Sequence, residues 1–130
     1  MQDLGVIALA EALEKNTTLT SISLYNMKIG NEGTKAIAEA LETNTTLIEL
    51  ELYQNIIDDE GAKALAEALK TNTTLKELDL SVNKISKIGV DILANVLQIN
   101  TTLEKLNLMQ NIKITSDILK KYSPRIHLLY

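Results

Sequence analysis

The chain has 130 residues, 45% of them hydrophobic and 23% charged, which suits one soluble unit with a core of its own. It has no cysteine, which excludes disulfides and thiolate chemistry, and no apolar run nears the roughly 18–20 residues of a membrane-spanning helix. The net charge of −4 is uneven, with −8 over residues 1–83 and +4 over residues 84–130, so any partner meets an acidic body with a basic end.

In chain order, the first element is a helix. Over residues 4–14, Ala8, Leu9, Ala12 and Leu13 fall on one face at the 3.6-residue period. Asp3, Glu11 and Glu14, with no basic segment ahead of the apolar stretch, argue against a secretory leader, and a cytoplasmic location is expected. The letters NTTL follow at 16–19, then a strand near 21–25 whose Ile22 and Leu24 alternate with polar residues. The sequence then repeats every 28 residues. NTTL recurs at 44–47, 72–75 and 100–103, strands are predicted near 49–53, 77–81 and 105–109, and helices near 32–42, 60–70 and 88–98. A shortened fifth unit ends the chain, with a helix near 116–122, Pro124 at a strand entrance, and a strand near 126–128.

A fixed period with a strand and a helix in each unit is the mark of a solenoid, in which no unit buries its apolar face alone. "LIELELYQNII" at 47–57 and "LKELDLSVNKI" at 75–85 match the pattern LxxLxLxxNxI, and "LEKLNLMQNIK" at 103–113 matches all but its last position. The sequence resembles the leucine-rich repeat family, and its repeat length and full helix are similar to the ribonuclease-inhibitor-like subclass. The resemblance implies a right-handed α/β solenoid of about four and a half repeats, with a parallel sheet on the concave side and helices on the convex side. It divides a single domain, 1–130, into a helical half-repeat 1–18, repeats 19–46, 47–74 and 75–102, and a degenerate repeat and cap at 103–130. Asn55, Asn83 and Asn111 are then expected to turn their amides inward onto loop backbone, a role Met27 cannot fill in the first repeat. Gly33, Gly61 and Gly89, with Gly5 in register, mark where each helix starts against its neighbour. The asparagine of each NTTL is expected to end a helix in the left-handed conformation. Each triplet is also an Asn-x-Thr glycosylation acceptor, but its place in the repeat accounts for all four copies.

Chemistry-bearing residues are sparse. His127 is the only histidine, no metal-ligand spacing surrounds it, and the three acids of "IDDEG" at 57–61 lack the spacing of a calcium loop. No catalytic, cofactor or metal residue is expected, and the chain reads as a non-enzyme. Lys113, Lys120, Lys121 and Arg125 form a basic set without interleaved aromatics on an acidic chain, so nucleic acid is not expected as a partner, nor is a membrane.

The sheet's outer face holds the candidate site. Columns read at 28-residue steps run Ser21, Glu49, Glu77, Lys105; Ser23, Glu51, Asp79, Asn107; and Tyr25, Tyr53, Ser81, Met109. Tyr25, Glu49, Glu51, Tyr53, Glu77 and Asp79 make an acidic, tyrosine-containing surface for a basic or peptide-like protein partner. Five strands about 4.8 Å apart with about five residues each give roughly 400–500 Å², below the ~800 Å² per partner of a standard interface. A rival reading is a structural element, since the actin-capping tropomodulins carry a related repeat domain; some relatives of the subclass regulate GTPases. Unprotected strand edges, with Leu128, Leu129 and Tyr130 at the apolar end, predict weak homo-oligomerisation.

Overall fold

Leucines at period two and amphipathic helices at period 3.6 alternate along the chain, and the elements follow them. In this computed structural model, residues 3–111 and 124–127 are described. Helices α1 (Leu4–Lys15), α2 (Asn31–Thr43), α3 (Asp59–Leu69) and α4 (Lys87–Val96) alternate with strands β1 (Ser21–Ser23), β2 (Glu49–Glu51), β3 (Glu77–Asp79), β4 (Lys105–Asn107) and β5 (Ile126–His127). The strands form one parallel sheet in the order β1-β2-β3-β4-β5, and each helix packs on its sequence neighbour. The result is the α/β solenoid expected from the repeat. Between sheet and helices lies one apolar layer built from the repeated leucines, among them Leu47, Leu50, Leu52, Leu75, Leu78, Leu80, Leu103, Leu106 and Leu108, all fully buried. Each such side chain contributes about 1.5–3 kcal/mol by leaving water. The strands have three residues, or two in β5, where about five were expected. The inter-strand bonding nonetheless continues beyond them through Leu24 N–H to the Glu51 carbonyl and Leu52 N–H to the Asp79 carbonyl, both 2.8 Å. The predicted helix near 116–122 lies outside the described residues, as do Leu128, Leu129 and Tyr130.

Three side-chain ladders tie the units together. The first is the expected asparagine row behind the strands. Asn83 Nδ2 donates to the carbonyls of Leu52, Leu80 and Ser81, and its Oδ1 accepts from Ile57 N–H. Asn55 and Asn111 repeat this one unit earlier and one later. Met27 stands half exposed at the start of the row, and its own N–H donates to Asn55 Oδ1.

The second ladder answers why NTTL repeats, and it corrects the left-handed cap. Asn16 and Asn44 have extended backbone, with φ/ψ of −77°/131° and −72°/131°. The helix-end work is done by the side chains. Asn72 Oδ1 accepts from the N–H groups of Thr74 and Leu75, while its Nδ2 donates to the carbonyls of Leu41 and Asn44 in the preceding unit. Asn44 and Asn100 do the same one unit away on either side. A short amide bridging two units needs extended backbone to reach both, and that need outweighs the residue's tolerance for the left-handed region. The next rung is Arg125, whose guanidinium donates to the carbonyls of Leu97, Asn100 and Leu103. Leu97 and Asn100 are the register equivalents of the Leu69 and Asn72 that Asn100 serves, so this arginine takes an asparagine's place in the ladder.

The third ladder joins helix starts. Asp59 Oδ1 accepts from the N–H groups of Ser86 and Gly89 at 2.8 and 3.1 Å, and Ser86 Oγ donates to its Oδ2. Asn31 bridges to Asp58 and Gly61 in the same way, and Asp3 to Gly30 and Gly33. Glycine is required where these groups meet: a Cβ on Gly89 would sit 2.5 Å from Asp59 Oδ1 and 2.5 Å from Ile85 Cγ2. The acids of 57–61 are therefore partly consumed by neighbouring units.

Candidate functional site: the concave face of the sheet

Alternation within each three-residue strand turns the middle residue, Ile22, Leu50, Leu78 or Leu106, inward and its two neighbours outward. Parallel pairing without slippage then sets equivalent residues side by side: Ser21, Glu49, Glu77 and Lys105 in one row, Ser23, Glu51, Asp79 and Asn107 in the next. Two residues beyond Ser23 and Glu51, Tyr25 and Tyr53 stack with ring centroids 5.1 Å apart and planes 5° from parallel. All six sequence-predicted residues thus stand on one face. A shallow depression of about 80 Å³ lies over β2–β4, lined by Glu49, Glu51, Glu77, Asp79, Lys105 and Asn107.

The four carboxylates are not equivalent. Asp79 is held within the protein, its Oδ1 accepting from Ser81 N–H and Ser81 Oγ at 2.9 and 2.6 Å and its Oδ2 from Asn107 Nδ2 at 3.3 Å. Glu49 accepts only a long bond from Ser21 Oγ, 3.4 Å. Among the described residues, neither Glu51 nor Glu77 has a hydrogen-bond or ion-pair partner, and the salt bridges lie elsewhere, between Lys35 and Glu32, Lys70 and Glu67, Lys76 and Glu104, and Lys87 and Asp91. Glu51 is paired in register with Asp79 and Glu77 with Glu49, so like charges stand side by side on adjacent strands, with Lys105 on the far side of Glu77. The hydroxyl of Tyr53 is held above the ordinary tyrosine value, first by desolvation and then by Tyr25, Glu51 and Asp79. Among the described residues no group of three or more histidine or acidic side chains is placed to hold a metal ion, and no helix is long and apolar enough to cross a membrane. Of the basic set, Arg125 is committed to backbone carbonyls; Lys113, Lys120 and Lys121 lie outside the described residues.

Sequence columns missed the bonds that consume Asp79 and the backbone of the loops that follow the strands. Only tertiary register brings Asn107 to Asp79, and the residue types at 26, 54, 82 and 110, left-handed in every unit, carry no common signal.

The TMOD/LMOD leucine-rich domain matches residues 2–90, and a leucine-rich repeat matches residues 100–121. This chain belongs to the TMOD/LMOD leucine-rich domain family. Among solved structures, "Leiomodin-1 Actin-Binding Site 2 (ABS2)" is 31% identical and superposes with a TM-score of 0.80, covering 91% of this chain and 68% of that one. The tropomodulin C-terminal domain of Caenorhabditis elegans has a TM-score of 0.81 at 17% identity, covers 96% of this chain and 83% of that one, and speaks for the fold alone. No curated protein matches the sequence. Membership in the TMOD/LMOD family favours the cytoskeletal reading over an unspecified peptide-binding pad, and protein binding is common to both.

Proposed function

We propose that this chain is a non-enzymatic, cytoplasmic, actin-binding module of the cytoskeleton. The observation that carries this is the 31% identity over 91% of the chain to a structure titled as an actin-binding site of leiomodin-1. The family match over residues 2–90 supports it. The whole of 1–130 acts as one repeat domain, and the 28-residue period with a full helix per unit supports grouping it with ribonuclease-inhibitor-like repeats. The contact surface is the concave face, with Tyr25, Glu49, Glu51, Tyr53, Glu77 and Asp79 meeting a basic, partly apolar patch of the partner. The free carboxylates of Glu51 and Glu77 and the exposed tyrosine stack support that choice. Regulation of a GTPase draws no support from the comparisons.

The test is binding of the purified chain to monomeric and filamentous actin, by fluorescence anisotropy and co-sedimentation. The pair E51K and D79K, which also gives up the bonds of Asp79 to Ser81 and Asn107, is expected to weaken binding at least tenfold while the chain stays folded by circular dichroism. No binding of the native chain at ~100 µM would refute the actin assignment; full binding by the folded double variant would remove the concave face from it.

A further inference from the structure

Each of four strands is followed by a residue in the left-handed region: Asn26, Gln54, Val82 and Gln110, at φ of 53°, 59°, 52° and 55°. Asparagine adopts this backbone readily. Valine does not, because its branched Cβ crowds the neighbouring peptide groups. The core does not require valine here, since Val82 is 39% exposed, and its N–H bond to the Met109 carbonyl is one that any residue but proline would make. The preceding unit's loop exposes another aliphatic, Ile56, 43% exposed. Scattered apolar residues on a surface call for no explanation. Here a strained valine, Ile56 and the Tyr25–Tyr53 stack all belong to the segments that follow β1, β2 and β3, on one rim of the sheet.

That rim has a charged border on each side. On the sheet side stand Glu51 and Asp79; on the loop side the exposed Lys28 and Lys84 stand at the repeat position that Ile56 takes in the unit between them. Successive rungs are about 4.8 Å apart, so the first and third are ~10 Å apart, close to the ~10.5 Å from i to i+7 on a helix. The geometry points to this rim as the docking strip for an amphipathic helix of a protein partner. The helix sets apolar side chains at i, i+3 or i+4 and i+7 over the tyrosine stack and Val82. It carries lysine or arginine on the flank facing Glu51 and Asp79, and glutamate or aspartate on the flank facing Lys28 and Lys84. Charge complementarity selects this occupant, since an anionic lipid surface would be repelled by the acidic border. The inference rests on reading the chain as a protein-binding module and states what the partner's contacting element looks like.

The probe is a synthetic 18-residue helix with leucines at that spacing, lysines on one flank and glutamates on the other, titrated into the ¹⁵N-labelled chain. The control peptide carries glutamate on both flanks. Expected are amide shifts centred on Tyr53, Ile56 and Val82, and at least tenfold weaker binding of the control. V82N, which installs the residue found at position 26, should raise the melting temperature by roughly 3–6 °C as strain is relieved. It should weaken peptide binding about five- to tenfold, the loss of one buried valine's contacts. I56S should weaken binding similarly without stabilising the fold. Equal binding of both peptides, shifts centred elsewhere, or a stabilised V82N with undiminished binding would each overturn the inference. Peptide binding at this rim by a chain that ignores actin would refute the actin assignment and leave the docking strip standing. Actin binding that is lost in E51K/D79K but unchanged in both V82N and I56S would do the reverse.

Discussion

Replacing Asn72 by alanine tests whether the NTTL repeats are a tie between units. The side chain is 5% exposed. Its Oδ1 accepts from Thr74 and Leu75 N–H at 3.0 and 2.9 Å, and its Nδ2 donates to the Leu41 carbonyl at 2.8 Å and, longer, to the Asn44 carbonyl at 3.4 Å. Alanine leaves these backbone groups buried without partners. At about 1 kcal/mol for each well-formed bond, with a smaller share for the long one, the loss is ~3–4 kcal/mol. That is a large part of the ~5–15 kcal/mol that holds a small domain folded. With a urea slope of ~1.5–2 kcal/mol per molar, the unfolding midpoint drops by about 2 M. Asn16 supplies the internal control. It makes the same Oδ1 bonds, to Thr18 and Leu19 N–H, but is exposed, and water replaces what N16A removes, for a loss under about 1 kcal/mol. N72D separates the two halves of the bridge by keeping the acceptor and losing the donor. Urea unfolding followed by circular dichroism checks all three. Equal losses for N16A and N72A, or a loss under 1 kcal/mol for N72A, would refute the bridging role.

The glycines in register should respond with opposite signs. G89A forces a Cβ to within 2.5 Å of Asp59 Oδ1 and Ile85 Cγ2 and should cost about 1–3 kcal/mol, whereas G5A meets nothing within 4 Å and should add about 0.4–1 kcal/mol, both read by thermal melting. R125A should destabilise the chain by about 1.5–3 kcal/mol and R125K by part of that, because a guanidinium reaches three carbonyls at once; urea unfolding measures both. Tyr53 should ionise above the ordinary tyrosine value of 10.0, and Y25F should lower its midpoint in a titration followed at 295 nm. Because the unfolded chain ionises there first, stability should fall as pH rises through 10.0 and beyond, and a Tyr53 midpoint at or below 10.0 would contradict the crowding of that hydroxyl by Glu51 and Asp79.

The array itself was legible in the sequence because its information is local and repeated. Leu50 and Leu52, or Ala68 and Leu69, state by spacing alone which side of a strand or helix faces inward, and 28-residue periodicity sets Glu49 beside Glu77 before any coordinate is known. The six concave-face residues were found this way, since a parallel sheet without slippage turns sequence columns into surface rows. Contacts between non-equivalent positions carried no such signal. Asp59 stood among three acids that lack the spacing of a calcium loop and proved to receive the next unit's glycine; Arg125 read as one of a basic set and proved to stand in for an asparagine three residues short of its place. Asn72 has one side chain and two demands on it, a turn in its own unit and carbonyls in the unit before, and only stacking showed that both are met at once. The left-handed turn recurs in step at 26, 54, 82 and 110, and only the structure shows that the branched Val82 adopts it as the others do. Periodicity specifies what every unit shares, while the places where one unit departs from the others are decided by the particular neighbour that each side chain meets.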